Sequence, residues 1–107
     1  MSHQNALLVM PVDSEERKLT PMFSGLLKYF PDACILVARC SQAGNDQHHP
    51  GEPLHWDKSK SFDHTDAMIR HALEGEWEKV AWRALAQCQT EIESGWRPHW
   101  YSKFEGK

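Results

Sequence analysis

Asp63, Asp66 and Arg70 fall at i, i+3 and i+7, while His64 and His71 stand seven apart with the small Ala67 between them. On a helix these spacings set the first three along one stripe and the two histidines along the next. Such a face could hold a divalent cation through Asp63 and Asp66, or grip a phosphate through Arg70 and a protonated His71. Asp66 and Arg70 also form an ordinary i, i+4 ion pair, so a merely solvated charged face is the plain alternative.

The segment before this face carries further candidates. His48, His49 and His55, with Lys58 and Lys60, precede it, and five of the seven histidines fall between positions 48 and 71. Neutral imidazole suits transition metals, but neither HExxH nor a cysteine-rich zinc spacing accompanies these histidines, so solvated surface side chains are the competing reading. Lys58, Lys60 and Arg70 with the indole of Trp56 supply what a nucleotide pocket needs: phosphate contacts and a stacking plane. Trp82, at the edge of its helix's apolar arc beside Glu78, Gln89 and Glu93, is a second such plane or an indole sealing the rim of a small core. Trp77, Trp96 and Trp100 are assigned to packing. No GxGxxG, GxxxxGK[ST] or GxSxG occurs, and no pair among fifteen carboxylates singles itself out for glycoside chemistry.

The elements that position these residues follow from local pattern. Residues 1–20 end in the charged Asp13-Ser14-Glu15-Glu16-Arg17-Lys18 and read as an arm. From Pro21 the chain turns apolar, and Pro31-Asp32 suits the first turn of a helix. That helix, over Ala33 to Cys40, is apolar on nearly every side, which predicts the most buried element, ended by Gly44. A buried strand over Cys34 to Val37 is its competitor. Gly44 to Lys60 reads as a long loop rich in histidine and proline. Ser59 or Ser61 would cap the next helix, with Asp63 in its opening turn. At about 100° per residue, Met68, Ala72, Thr65, Ile69, Phe62 and Leu73 fill one arc, predicted to face the core. Asp66, Arg70, Asp63, Ala67, His71 and His64 fill the opposite one. After a break at Gly75, a second helix from Trp77 to Glu93 sets Ala81, Ala84, Leu85, Cys88 and Ile92 in an apolar stripe, with Trp77 and Val80 beside it. Gly95 stops it, and the pair forms an antiparallel helical hairpin. The tail from Trp96 to Tyr101 is aromatic but too broken by proline for a helix.

Composition narrows the classes. With 107 residues, 40% hydrophobic and 25% charged, the chain is one small domain: an arm over 1–20, a helical core over 21–95 and an aromatic tail over 96–107. Twelve Lys and Arg against fifteen Asp and Glu give a net charge of −3, which disfavours a nucleic-acid partner held by phosphate contacts. No apolar run approaches a bilayer span, and the start lacks the order of a signal peptide, so no membrane partner is expected. Three cysteines without CxxC spacing read as small buried hydrophobes in a reducing compartment, the cytoplasm.

Three stretches carry a family resemblance. They are Pro21-Met22-Phe23-Ser24-Gly25-Leu26-Leu27-Lys28-Tyr29-Phe30-Pro31-Asp32-Ala33, then Gly44-Asn45-Asp46-Gln47-His48-His49-Pro50-Gly51-Glu52-Pro53-Leu54-His55-Trp56, then Lys60-Ser61-Phe62-Asp63 with Asp66-Ala67, Arg70-His71 and Val80-Ala81-Trp82-Arg83-Ala84-Leu85-Ala86. Over about residues 20–94 the chain resembles the N-terminal-domain family of dATP/dGTP diphosphohydrolases, small proteins common in bacteriophage genomes. The resemblance implies an all-α protein that binds or cleaves purine deoxynucleotides with a divalent cation such as Mg²⁺, in the host cytoplasm if phage-encoded. It places Asp63, Asp66 and His71 on the active face and Lys58 with Arg70 on the phosphates. Two departures stand out. The link after Arg70-His71 is only Ala72 to Gly75, with Glu76 where the pattern has a histidine. The ExxE and ExxD pairs of MazG-type pyrophosphohydrolases are also missing, Asp63-x-x-Asp66 being the nearest form. Both weigh on catalysis more than on binding.

The expectation is therefore an all-α domain with a C-terminal helical hairpin and a long His/Pro-rich loop. Its expected function is metal-dependent nucleotide pyrophosphohydrolysis, with Asp63, Asp66 and His71 catalytic and Mg²⁺ on Asp63 and Asp66. His55, Trp56, Lys58, Lys60, Arg70 and Trp82 would contact the ligand. The alternatives are a non-catalytic protein that sequesters a nucleotide and so counters nucleotide-based host defence signalling, and a protein-interaction module using exposed tail tryptophans. Helices this short bury little alone, so a homo-oligomer is expected in each case.

Overall fold

The computed structural model describes residues 8–60 and 62–104, and among these the fold is all-α, with no strand. The α-helices are α1 (Ser14–Lys18), α2 (Pro31–His48), α3 (His64–Leu73) and α4 (Trp77–Glu93). Shorter turns lie at Phe23–Leu27 (π), Lys58–Lys60 and His99–Phe104 (both 3₁₀). No described helix is long and apolar enough to cross a membrane. The described chain falls into two units, one spanning Phe30–Gln87 and the other formed by the residues before Phe30 together with those from Cys88 onward, so the 21–95 core is divided between them.

In the Phe30–Gln87 unit, α2 opens with Pro31 at its first position, where the missing N–H costs nothing, and Asp32 in its first turn. It is a helix throughout, which removes the strand alternative over Cys34 to Val37. Gly44 does not end it. A helical glycine costs only about 1 kcal/mol relative to alanine, which four more residues of hydrogen bonding offset. The stop comes at His49 (φ −137°, ψ 59°), because the residue before a proline is pushed out of the α region and Pro50 follows. The His/Pro-rich loop thus begins at His49. Nor is α2 the buried element expected: Ile35 and Leu36 are exposed, and its one buried residue is Asn45.

Asp63, the residue before α3, makes no side-chain cap, and Ser59 is engaged with Asp57 instead; Ser61 lies outside the described residues. At the other end Gly75 (φ +73°) takes the left-handed conformation, with Glu76 N–H donating to His71 O at 2.9 Å and Gly75 N–H to Ala72 O at 3.1 Å. This Schellman closure turns the chain directly into α4. The start of α3 meets the middle of α4 (His64 with Trp82 and Arg83) and its end meets the beginning (His71 with Glu76), so the pair is an antiparallel hairpin.

The hairpin packs through the stripe expected to face solvent. His64 is 5% exposed and Ala67 fully buried, whereas Ile69, Leu73 (82%) and Phe62 (86%) of the expected core arc are exposed. On α4 the expected stripe is likewise turned out at Trp77, Ala84, Leu85 and Cys88, and Ala86 is the buried residue. The physical reason is steric and electrostatic together. Ala67 lets the helices approach closely, His64 finds a partner on α4 and His71 one at Glu76 just before it, and no buried side-chain nitrogen or oxygen is left unsatisfied among the described residues.

In the other unit, Asp13 caps α1 by accepting Glu16 N–H at 3.1 Å, with Glu15 and Glu16 in the first turn and Arg17 and Lys18 in the last. The π turn closes through Leu27 N–H to Met22 O (3.1 Å) and Lys28 N–H to Phe23 O (2.7 Å). Gly25 is required there, since a Cβ would stand 2.9 Å from Pro21 Cγ. A second Schellman closure at Gly95 (φ +103°) ends α4. The tail, expected to be non-helical, instead forms a 3₁₀ segment beginning after Pro98, with the Arg97 guanidinium 5.8 Å from the Tyr101 ring centre.

Candidate functional site

In the Phe30–Gln87 unit an open cleft of about 1090 Å³ lies between the C-terminal half of α2, the loop from His49 to Lys60, and the α3–α4 hairpin. Four cations line it, Arg39, Lys60, Lys79 and Arg83, against the acids Asp57 and Glu78. In a chain of net charge −3 this is a local reversal of sign. His48, His49, His55 and His71 add imidazoles, and Trp56 and Trp82 supply two indoles.

The indoles meet edge to face, ring centres 5.6 Å apart, in the offset arrangement that aromatic quadrupoles favour. Each carries a cation: Lys58 Nζ lies 4.9 Å from the Trp56 ring centre and Arg83 lies 5.9 Å from that of Trp82. Arg83 is held from behind, because its Nη1 donates to Nδ1 of the buried His64 at 3.1 Å. Burial, then the Arg83 charge, pushes the His64 pKa below the ordinary histidine value, so the ring stays neutral and accepts.

A second buried polar residue shapes the loop. Asn45 (4% exposed) donates through Nδ2 to Glu52 O at 3.0 Å and accepts His55 N–H on Oδ1 at 3.3 Å, pinning both ends of the turn to α2. Asp57 then accepts from the Ser59 hydroxyl (2.6 Å) and Ser59 N–H (3.1 Å), which hold its pKa below the usual value and start the 3₁₀ turn carrying Lys58 and Lys60. Cys40 also lines the cleft. Burial, then nearby Glu78, raises its thiol pKa, the opposite of what a nucleophile needs.

At the hairpin turn, His71 Nδ1 lies 2.8 Å from Glu76 Oε1, and Lys79 Nζ donates to Glu76 Oε2 at 3.0 Å. These two contacts, His71 first, lower the Glu76 carboxyl to about 2. Glu76 was not among the sequence-derived site residues. Its signal was its position five residues after His71 across a glycine turn, a spacing that becomes a contact only once Gly75 adopts positive φ.

Of the residues singled out in the sequence, His55, Trp56, Lys60, His71 and Trp82 come together in the cleft lining. Lys58 sits over Trp56, beside that lining. Asp63, Asp66 and Arg70 stand outside it. Arg70 pairs with Asp63, at 3.4 Å, in place of the expected i, i+4 pair with Asp66, and both partners are exposed. Asp63 and Asp66 belong to neither of the two groupings of three or more potential metal ligands among the described residues, which are His49–Glu52–His55 and His71–Glu74–Glu76. Two carboxylates of this kind fit a Mg²⁺ only if phosphate oxygens and water complete the octahedron.

No family model, curated protein or solved structure matches this chain.

Proposed function

We propose that the cleft binds a nucleotide, and that the protein is a nucleotide-binding protein of bacteriophage type whose simplest activity is sequestration. The observation that carries this reading is the convergence of two indoles with four cations in one cleft of an acidic chain. Stacking on an indole contributes about 1–3 kcal/mol per base, and charge-assisted hydrogen bonds hold the phosphates. Trp82 would stack on the base, with Lys60, Lys79 and Arg83 facing the phosphates and His55 and Trp56 closing the loop side. The resemblance to the dATP/dGTP diphosphohydrolase family favours a purine deoxynucleotide. Withholding a signalling nucleotide would suit a phage protein that counters host defence.

Hydrolysis is the second reading, favoured by the Glu76-oriented imidazole of His71 at the cleft wall. A carboxylate that orients an imidazole is the arrangement of a general base. Asp63 and Asp66 stand outside the cleft, so a divalent cation such as Mg²⁺ would be carried on the ligand's own phosphates and would neutralise their charge in that case. Chromatography of dATP, dGTP and cyclic or linear signalling nucleotides after incubation with protein and Mg²⁺ separates the readings. Intact ligand released on heating supports sequestration, and a diphosphate-cleaved product supports hydrolysis.

We also infer that a second copy of the chain covers exposed apolar side chains of the hairpin. Phe62, Ile69, Leu73, Trp77 and Leu85 are large, apolar and exposed. Burying such side chains stabilises by about 1.5–3 kcal/mol each, a gain that a homo-oligomer would realise.

A further inference from the structure

We infer that the loop after α2 is a transition-metal site of the zinc type, formed by His49, Glu52 and His55. Their potential ligand atoms all lie within 4.8 Å of one another, and the two imidazole ring centres are 4.4 Å apart. Ligands at about 2.0–2.2 Å around tetrahedral Zn²⁺ lie roughly 3.4 Å from each other, so modest side-chain closure completes the set. Two imidazoles and one carboxylate suit zinc better than magnesium, and three protein ligands leave a fourth position open.

The loop carries the supports such a site requires. The Nδ1–H of His55 donates to Pro53 O at 2.9 Å, which fixes the tautomer and leaves the Nε2 lone pair for a metal. Gly51 at φ +79° reverses the chain, and Glu52 N–H donates to His49 O at 3.0 Å, bringing the carboxylate back over the first imidazole. Asn45 clamps Glu52 and His55 through their main chains, leaving both side chains available. The other grouping, His71–Glu74–Glu76, is already committed, since both Glu76 oxygens are engaged by His71 and Lys79. Because His49 and His55 line the cleft, a bound metal would stand at its wall with an open position for water or an anionic oxygen. The assignment rests on the loop's own geometry and not on the Asp63–Asp66 pair, and it shares His55 with the proposed nucleotide cleft.

The test is metal binding by the full chain after chelator treatment and dialysis. Zinc is titrated against a chromophoric chelator, and Co²⁺ is titrated while its d–d absorption is followed. The expected result is one equivalent of zinc at micromolar protein, with Co²⁺ bands of tetrahedral or five-coordinate intensity. His49→Ala, His55→Ala and Glu52→Gln should each weaken binding by at least about tenfold. Glu52→Gln keeps the main-chain bond to Asn45, so it reads the ligand even if a histidine variant unfolds. Zinc affinity that is unchanged in Glu52→Gln and His55→Ala would overturn the assignment, as would affinity lost in His71→Ala but kept in His55→Ala.

Discussion

Arg83 Nη1 donates to Nδ1 of His64 at 3.1 Å, so a buried neutral histidine on α3 sets the position of a cleft cation on α4. The bond fixes the tautomer: Nδ1 must accept, so the proton sits on Nε2. His64 is therefore a positioning residue for Arg83.

A pH dependence follows from the depressed His64 pKa. The unfolded chain takes up the proton more readily than the folded one, so stability falls as pH drops below the ordinary histidine value of 6.5 and through the folded value. The thermal midpoint should decline from pH 7 towards pH 5, with a smaller decline in His64→Asn. His64→Ala, which leaves Arg83 without this acceptor, should cost about 1–3 kcal/mol in chemical denaturation at pH 7.5.

The acid limb should belong to Glu76. Its folded pKa of about 2 lies below the ordinary 4.5, so its contribution is fully present above pH 4.5 and disappears as pH falls towards 2. Carboxyl NMR should place the Glu76 midpoint near 2. Glu76→Gln should flatten the loss of stability between about pH 4.5 and 2.

Two glycines should respond oppositely to alanine. Gly75 has open space around a Cβ but φ +73°, so Gly75→Ala should destabilise by about 1–2 kcal/mol from backbone strain alone. Gly44 lies inside α2 with nothing within 4 Å of a Cβ, so Gly44→Ala should stabilise by up to about 1 kcal/mol. Urea unfolding midpoints of both variants check the pair.

Much of the fold was legible in local pattern. Gly75 and Gly95 terminate helices where their positions suggested, and the histidine stripe with Ala67 between its members is present on α3. Which face that stripe takes was not legible. A hydrophobic arc normally identifies the core side, but here the partner of His64 lies on α4 and that of His71 just before it, and pairwise polar satisfaction across a hairpin leaves no periodic signal. The end of α2 was misplaced for a related reason. Gly44 looks like a stop, whereas Pro50 acting on His49 is the stop. Of the candidate site, the loop residues, His71 and Trp82 were visible as types; Lys79 and Arg83 became visible only through the helix crossing, and Glu76 only through the Gly75 turn.

The outward apolar arc should hold a second copy. Sedimentation velocity should give a species heavier than the 12.4 kDa chain, and Leu73→Glu, at a position 82% exposed, should shift it towards monomer without unfolding it. A monomer at all micromolar concentrations would leave the arc without this partner.

Nucleotide affinity decides whether the indoles and cations of the cleft form a binding site. Isothermal titration of the intact protein with dATP, dGTP and signalling nucleotides should find at least one that binds. Trp82→Ala should weaken that ligand about 5- to 150-fold, from the loss of roughly 1–3 kcal/mol of stacking. Lys60→Ala should weaken it with a reduced salt dependence. Binding that survives Trp82→Ala and Lys60→Ala unchanged, or no binding by any nucleotide, would show that the cleft is not a nucleotide site.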